Sequence, residues 1–308
     1  MKVSIVIPCY NAEQTIARCL DGLFAQTYGD LEIIAVDDGS TDGTPALLEG
    51  SIAASPVPME VIHQTNRGAC AARNAGLAKA KGTYIQFMDA DDELLPEKIA
   101  HQVQLAQASK LPDLIIGSSR TYRADGTLRD TDIQHPNDRD AWWDLMRHRL
   151  GGTPPNFWKR SMMEEVGGWN EAMASSQEYD LMFRFLQHDA RLVFDEVVLT
   201  VIRLQASGSV STGKLDRTWV RFIELRARIL EHIRATQPAT NLQPYHQVLF
   251  DSIRTLYAYS PKQAVAFHDQ LLPRDFLPTP SPATGKGYLL LHRMLGFARA
   301  NRLRRLLS

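Results

Sequence analysis

Two patterns of hydrophobic residues alternate along the first part of the chain. Short runs rich in valine and isoleucine are typical of buried strands, and an apolar residue every three or four positions is typical of a helix. Ile16, Leu20, Leu23 and Phe24, for example, share one helical face. The patterns predict strands at residues 3–7, 31–36, 59–62, 83–88 and 113–117, and helices at 12–26, 44–53, 68–81 and 96–108. This alternation predicts an α/β fold, with a doubly wound, mostly parallel sheet flanked by helices.

The pattern changes in the second half of the chain. Helical spacing recurs over residues 138–149, 160–166 and 177–188, followed by a strand region over 192–203. From about residue 215 onward the spacing is helical only, and prolines interrupt it. We therefore predict an α/β domain over residues 1–214 and a C-terminal helical appendage over residues 215–308.

The charge balance and the cysteines narrow the class of protein. The formal net charge is -1, whereas a protein that binds nucleic acid normally carries a clear basic excess. Cys9, Cys19 and Cys70 cannot all pair and lack the CxxC spacing of metal sites, which predicts reduced thiols. The apolar start at residues 3–7 predicts a strand rather than a signal peptide, and no stretch approaches the ~20 apolar residues of a membrane span. We expect a cytoplasmic protein.

An acidic segment, Asp89-Ala90-Asp91-Asp92, follows the predicted strand at residues 83–88. Carboxylates this close repel one another unless a cation lies between them, and a divalent Mg²⁺ or Mn²⁺ ion prefers such oxygen ligands. The carboxyl end of a strand is also where α/β sheets bind ligands. The segment is therefore either a divalent-metal site or an acidic turn that caps the next helix.

Polar residues follow two other predicted strands. Tyr10 offers a ring on which a base can stack, and Asp38 offers a carboxylate to an N–H of that base. Arg73, among alanines, needs an anion, which is either the nucleotide or a carboxylate of Asp37 or Asp38. No Gly-x-Gly-x-x-Gly follows the first strand, so a dinucleotide-binding domain is disfavoured.

Several segments, taken in their order and spacing, carry a family resemblance. They are Pro8-Cys9-Tyr10-Asn11, Gln26-Thr27, Val36-Asp37-Asp38-Gly39-Ser40-Thr41-Asp42, Asn66-Arg67-Gly68, Ala72-Arg73-Asn74 and Met88-Asp89-Ala90-Asp91-Asp92. Together they resemble the family 2 glycosyltransferases, which are inverting enzymes of the GT-A fold that use nucleotide-diphosphate sugars. The resemblance covers roughly residues 1–211.

The resemblance implies the members of a donor site. The expected nucleotide-sugar ligands are Pro8, Tyr10, Asn11, Asp38, Gly68, Arg73, Asp89, Ala90 and Arg203. Asp89 and Asp91 would form the metal-binding Asp-x-Asp element, with Asp92 facing the donor sugar. Gln205 stands where the family has a histidine that often completes the metal or diphosphate site. Arg203 is available for the diphosphate or for a structural ion pair.

The resemblance also implies a catalytic base. Gln177-Glu178 aligns with the family's Glu-Asp pair, so Glu178 is the expected base. Asp180 is the fallback, although two positions along a helix it points to another face, and it is equally a helix-start charge. Trp169, in a glycine-aromatic-acid segment, is either a platform for the acceptor sugar or a buried tryptophan.

The function implied by the resemblance is transfer of a hexosyl group from a nucleotide donor, with UDP first, to a carbohydrate or lipid-linked glycan. Assembly of bacterial surface polysaccharide or glycoconjugates is the expected setting. One alternative is a sugar nucleotidyltransferase. Another is a non-catalytic nucleotide-sugar-binding protein, which Gln177, Glu178 and Gln205 would fit.

The end of the chain, residues 289–307, is a basic amphipathic stretch. Such a helix can lie on an anionic membrane surface as a peripheral contact at the inner face of the membrane. Alternatively, its leucines pack on the body of the protein or on a second subunit. The oligomeric state is left open.

Overall fold

The computed structural model describes residues 1–135, 140–205 and 215–307. Its strands are β1 (Val3–Cys9), β2 (Leu31–Asp37), β3 (Met59–His63), β4 (Tyr84–Phe87), β5 (Glu93–Leu94), β6 (Leu114–Tyr122), β7 (Leu128–Asp132), β8 (Phe157–Lys159) and β9 (Leu192–Arg203). Its helices are α1 (Ile16–Phe24), α2 (Thr44–Ser51), α3 (Ala69–Lys79), α4 (Lys98–Ala108), α5 (Ala141–Met146), α6 (Arg160–Glu165), α7 (Gln177–Gln187), α8 (Leu215–Thr236), α9 (Gln243–Leu256), α10 (Pro261–Leu271) and α11 (Lys286–Leu307).

Across the described ranges, the strands join one mixed sheet. Their order is β3-β2-β1-β4-β8-β6-β9-β5, with β7 paired to β6. β3, β2, β1 and β4 are parallel, as are β6 and β9, whereas β5, β7 and β8 run antiparallel to their neighbours. The predicted α/β class with flanking helices is confirmed, and the sheet of the described strands is mixed, with four parallel and four antiparallel pairings. The hydrophobic pattern missed β5, β7 and β8 because they are very short or, in β7, fully exposed.

The register brings three strand ends to one edge of the sheet. Cys9 at the end of β1 pairs with Asp37 at the end of β2, and Val6 of β1 pairs with Phe87 at the end of β4. Because carboxyl ends of parallel strands meet at the same edge, the segments that follow β1, β2 and β4 lie together there.

Helix α3 packs closely on the sheet. A Cβ atom at Gly76 would lie 2.4 Å from Cγ1 of Val6, so a glycine is required at this crossing. Ala71 and Ala72, one turn earlier on α3, are also buried. This packing fixes the position of Arg73, a buried residue of the same helix.

Two compact units divide the described residues. The first contains the sheet and lies within residues 1–139 and 148–209; the second contains α5 and α8–α11 and lies within residues 140–147 and 210–308. Helix α5 belongs to the helical unit, where Nε of Arg226 donates to the main-chain oxygen of Met146 at 3.0 Å. The domain division predicted from the sequence places α5 in the first domain. The predicted boundary at residue 214 lies outside the described residues and stays a prediction.

Candidate active site

Three carboxylates line the loop that follows β4. Asp89 and Asp91 are half-buried and Asp92 is buried. Burial, and then the neighbouring Asp89, raise the pKa of Asp91. Burial, and then Asp89 and Asp91, raise the pKa of Asp92 well above its usual range. Burial and mutual repulsion thus disfavour the ionised forms of Asp91 and Asp92, a condition that a bound divalent cation relieves.

The donor set of this loop fits a hard divalent cation in part. Carboxylate oxygens of Asp89 and Asp91 are suitable ligands, and the side chain of Gln205 hydrogen bonds with Asp91. Within residues 1–135, 140–205 and 215–307, however, no three His, Cys, Asp or Glu side chains are grouped as a complete metal site. The residues therefore fit an ion whose remaining ligands come from phosphate or water.

Arg73 joins this acidic loop to the start of helix α7. Its Nη2 lies 2.7 Å from Oδ1 of Asp89, and its Nη1 donates to Oε1 of Gln177 at 2.8 Å. The carboxylate partner of Arg73 is therefore Asp89, and of the two anions that the sequence left open, the alternative of Asp37 or Asp38 is wrong. Asp37 accepts a hydrogen bond from the main-chain N–H of Ser40, and Asp38 accepts from the main-chain N–H groups of Arg67 and Gly68, which precede α3.

The first turn of α7 holds the two candidate bases. Glu178 is half-buried; burial raises its pKa, Arg73 lowers it and Asp89 raises it. Asp180 is 1% exposed, and its Oδ2 accepts a hydrogen bond from Nε of Arg184 at 3.1 Å. Glu178 thus lies in the electrostatic field of the acidic loop, while Asp180 is held in the interior by Arg184.

Asp38 fixes the loop that leads into α3. Its Oδ1 accepts hydrogen bonds from Nε2 of Gln64 at 2.7 Å and from the main-chain N–H of Arg67 at 2.9 Å. Its Oδ2 accepts from the main-chain N–H of Gly68 at 2.7 Å. Gly68 has a positive φ of 91°, a conformation that favours glycine. The predicted nucleotide ligand Asp38 therefore also orders the loop over residues 64–68.

The segment after β1 presents an aromatic ring at the same sheet edge. Tyr10 is 53% exposed and is available for stacking, while Pro8 is half-buried. Asn11 has a positive φ of 49°, and its Oδ1 accepts a hydrogen bond from the main-chain N–H of Thr41 at 2.8 Å. This contact ties the end of β1 to the loop after β2.

Asp92 and Trp169 are placed differently from their predicted contacts with sugars. Asp92 is 4% exposed, and its Oδ1 accepts from the main-chain N–H of Arg203 at 2.9 Å, which fixes the acidic loop on β9. Trp169 is 2% exposed, and the guanidinium of Arg73 lies 4.8 Å from its ring centroid. The structure therefore matches the alternative of a buried tryptophan. Its ring packs against the guanidinium of Arg73.

Arg203 and Ala90 complete the set of predicted ligands. Nη2 of Arg203 lies 2.9 Å from Oε2 of Glu93, and its guanidinium packs 5.6 Å from the ring centroid of Tyr122. The structural ion pair is thus formed, and a diphosphate would have to share this arginine. Ala90 packs against the core of the sheet, which anchors the acidic loop.

Sequence reasoning missed two residues of this site. Nη2 of Arg18, on α1, donates to the main-chain oxygen of Asp91 at 3.0 Å, and Gln64 holds Asp38. An arginine on an amphipathic helix normally indicates a solvated surface, so the sequence carried no signal for Arg18. Gln64 follows β3, and a polar residue at the end of a strand could have indicated a place near the site.

The amino-acid sequence is similar to those of known glycosyltransferases. Residues 4–166 match the model of glycosyl transferase family 2. Glycosyltransferase GlyG of Streptococcus pneumoniae is 30% identical over 239 residues, which cover 72% of this chain and 76% of that protein. An uncharacterized glycosyltransferase of Haemophilus influenzae is 29% identical over 187 residues, and the match spans 62% of its length.

Solved structures share the architecture. TarS of Staphylococcus aureus (residues 1–349), in complex with UDP-GlcNAc, superposes with a TM-score of 0.69 at 18% identity, covering 98% of this chain and 88% of that one. The mannosyltransferase PcManGT of Pyrobaculum calidifontis, in complex with GDP-Man and Mn²⁺, gives 0.56 at 18% identity, covering 99% and 87%. The mixed sheet with an acidic loop at its carboxyl edge is thus a GT-A glycosyltransferase fold. The chain belongs to glycosyl transferase family 2, which confirms the predicted family.

Proposed function

We propose that this chain transfers a hexosyl group from a nucleoside-diphosphate sugar, with UDP as the first nucleotide to test, to a carbohydrate or lipid-linked glycan acceptor. The observation that carries the proposal is the link through Arg73, which lies 2.7 Å from Asp89 and 2.8 Å from Gln177. This link joins a loop suited to a diphosphate with the helix turn that bears Glu178. UDP-GlcNAc in TarS and GDP-Man in PcManGT support a nucleotide-sugar donor. A role in bacterial surface polysaccharide or glycoconjugate assembly is part of the proposal.

The nucleotide would lie along the carboxyl edge of the sheet. Tyr10, at the end of β1, would stack on the base, with Pro8 and Asn11 beside it. Asp38 would order Gly68 and the preceding loop around the nucleotide. Arg73, which lies 2.7 Å from Asp89, would bring positive charge beside the diphosphate.

The chemistry would be a single displacement with inversion at the anomeric carbon. The acceptor hydroxyl would form the new glycosidic bond while the bond from the anomeric carbon to the diphosphate oxygen breaks. Glu178 would take the proton of that hydroxyl as a general base. Asp89 and Asp91, with Gln205 beside Asp91, would hold a Mn²⁺ or Mg²⁺ ion, which supplies Lewis-acid stabilisation of the leaving diphosphate when bound.

Removal of divalent cations with EDTA is expected to lower turnover at least ~10-fold, because Asp89 and Asp91 would then repel the donor phosphates. Excess Mn²⁺ should restore it. Turnover is measured as nucleoside diphosphate released from a panel of sugar nucleotides in the presence of glycan acceptors. Asp91→Asn should reproduce the loss with Mn²⁺ present, whereas Asp30→Asn, an exposed aspartate, should behave like the wild type. Equal turnover of Asp91→Asn and wild type would contradict the metal assignment.

The same assay separates the alternative functions. Release of pyrophosphate in place of nucleoside diphosphate would favour the sugar nucleotidyltransferase. Binding of a sugar nucleotide without turnover, across acceptors that related enzymes use, would favour the non-catalytic binding protein.

We also propose that the chain works in the cytoplasm and that α11 touches the inner face of the membrane. In the described part of the chain, no helix has the length and apolar character needed to cross a bilayer. Residues 286–307 nevertheless contain no Asp or Glu and carry the basic residues Lys286, Arg293, Arg299, Arg302, Arg304 and Arg305. Leu290, Met294 and Leu306 are 61%, 71% and 77% exposed, while Tyr288 and Phe297 are buried; the backbone of α11 is kinked at Gly296, where φ is 73°. A basic surface with exposed apolar side chains complements anionic lipid headgroups.

Vesicles of phosphatidylglycerol and phosphatidylcholine are expected to co-sediment with the protein, and vesicles of phosphatidylcholine alone to bind it much less. The double variant Leu290→Ser/Met294→Ser should weaken this binding several-fold, because it removes apolar area that would enter the headgroup region. Leu277→Ser, at a 64% exposed leucine outside α11, is the matched control. Equal sedimentation of the double variant and the wild type would contradict the proposed membrane contact. A dimer in light scattering that the double variant abolishes would instead assign the surface to a second copy.

A further inference from the structure

Gln177 lies between the proposed base and the acidic loop, and both ends of its amide are engaged. Its Oε1 accepts a hydrogen bond from Nη1 of Arg73 at 2.8 Å, and its Nε2 donates to the main-chain oxygen of Met173 at 3.0 Å. The other terminal nitrogen of Arg73 lies 2.7 Å from Asp89. One guanidinium therefore binds a neutral amide on one side and a carboxylate on the other.

The neutrality of Gln177 matters because Arg73 is a buried cation, and Asp89 and Glu178 are the carboxylates on which its charge acts. Arg73 is 6% exposed and packs over the ring of Trp169, so water screens its charge weakly. A carboxylate at position 177 would take part of this charge in a direct ion pair. With an amide there, the charge remains directed toward Asp89 and toward Glu178, whose ionised form Arg73 favours.

The titratable and charged groups that act on Glu178 come from two parts of the first unit. They are Arg73 and Cys70 on α3 and Asp89 after β4. Arg73 supplies the positive charge among these groups. A change at position 177 therefore alters most directly the electrostatic attraction between Arg73 and Glu178.

We propose that Gln177 is a positioning residue that keeps the charge of Arg73 available to Asp89 and Glu178, and thereby sets the pH range in which Glu178 acts as a base. This inference rests on the proposed function, in which Glu178 removes the proton of the acceptor. A glutamate at position 177 would compete for Arg73 and would add a negative charge beside Glu178 in the chain. Both effects favour the protonated form of Glu178.

The test is the pH profile of turnover for Gln177→Glu, measured as nucleoside diphosphate released from a sugar nucleotide that the wild type uses. Because the base works only when ionised, turnover rises with pH through the pKa of Glu178. This rising part of the profile is its acid limb, and the substitution should move it to higher pH. The expected shift is about half to one pH unit. Gln187→Glu, at the exposed end of the same helix, is the matched control and should leave the limb in place. Gln177→Met removes the amide without adding charge and should lower the plateau without a comparable shift.

Thermal unfolding verifies that each variant is folded. If Gln177→Glu is unstable, Arg73→Gln gives a second measurement, because loss of the same cation should move the limb in the same direction. An unshifted acid limb in a folded Gln177→Glu protein would overturn the inference and leave the proposed function intact. An equal shift in Gln177→Met would also overturn it, since the effect would then not be one of charge. Absence of wild-type turnover with every donor would count against the proposed function itself.

Discussion

Replacement of Glu178 by glutamine is expected to lower turnover by about 10²-fold or more while the affinity for the sugar nucleotide changes little. The amide has the size of the carboxylate but cannot take a proton from the acceptor hydroxyl. Glu178 lies in the first turn of α7, where burial raises its pKa and Arg73 keeps the ionised form accessible. Turnover is measured as nucleoside diphosphate release, and affinity by calorimetry with the donor that gives turnover in the wild type.

Asp180→Asn is the matched comparison on the same helix. Asp180 binds Arg184, whose Nη1 donates to the main-chain oxygens of Val166 and Gly168 at 2.6 and 2.7 Å. Loss of its charge should therefore lower the free energy of unfolding by roughly 1–3 kcal/mol and leave turnover of the folded protein within a few-fold. If Glu178→Gln keeps near-normal turnover and Asp180→Asn is inactive, the base is assigned to the wrong residue.

The sequence predicted the location of the candidate site because the signals are local. Apolar runs define β1, β2 and β4, and the polar residues that follow each run belong to the same short segments. Parallel pairing then requires these segments to share an edge, as the register of Cys9 with Asp37 confirms. The order of the motifs supplied the family, and the family match over residues 4–166 bears it out.

Side-chain partners could not be predicted in the same way, because they depend on how separate elements pack. Arg73 and Asp89 are on different elements, and their pairing requires the close approach of α3 to the sheet at Gly76. The burial of Trp169 likewise follows from its contact with Phe87, at a ring-centroid distance of 5.2 Å. No periodicity along the chain encodes either contact.

The assignment of α5 to the helical unit illustrates the same limit at the scale of an element. Its sequence has ordinary helical spacing and lies among segments of the first unit. Its partners, however, are far along the chain. The ring centroids of Trp142 and His232 are 4.4 Å apart, and those of Trp143 and Tyr245 are 5.0 Å apart. Aromatic residues on a short helix indicate burial but do not identify what buries them.

Asp38→Asn is expected to destabilise the protein by about 2–4 kcal/mol. The carboxylate accepts three hydrogen bonds, from Gln64 and from the main-chain N–H groups of Arg67 and Gly68. An asparagine of the same shape offers one oxygen, and its NH₂ group must face a donor. At least one of these N–H groups then loses its partner, and the loop over residues 64–68 loses the group that orders it.

The loop leads directly into α3, so the same substitution should also change the position of Arg73. We expect this to weaken binding of a nucleoside diphosphate at least ~10-fold. Urea unfolding followed by tryptophan fluorescence gives the change in free energy, and calorimetry with UDP gives the affinity. Asp21→Asn, at an exposed position of α1, is the control and should match the wild type in both measurements. Wild-type stability with weakened UDP binding would mean that Asp38 acts on the nucleotide directly, and wild-type values of both would remove Asp38 from the site.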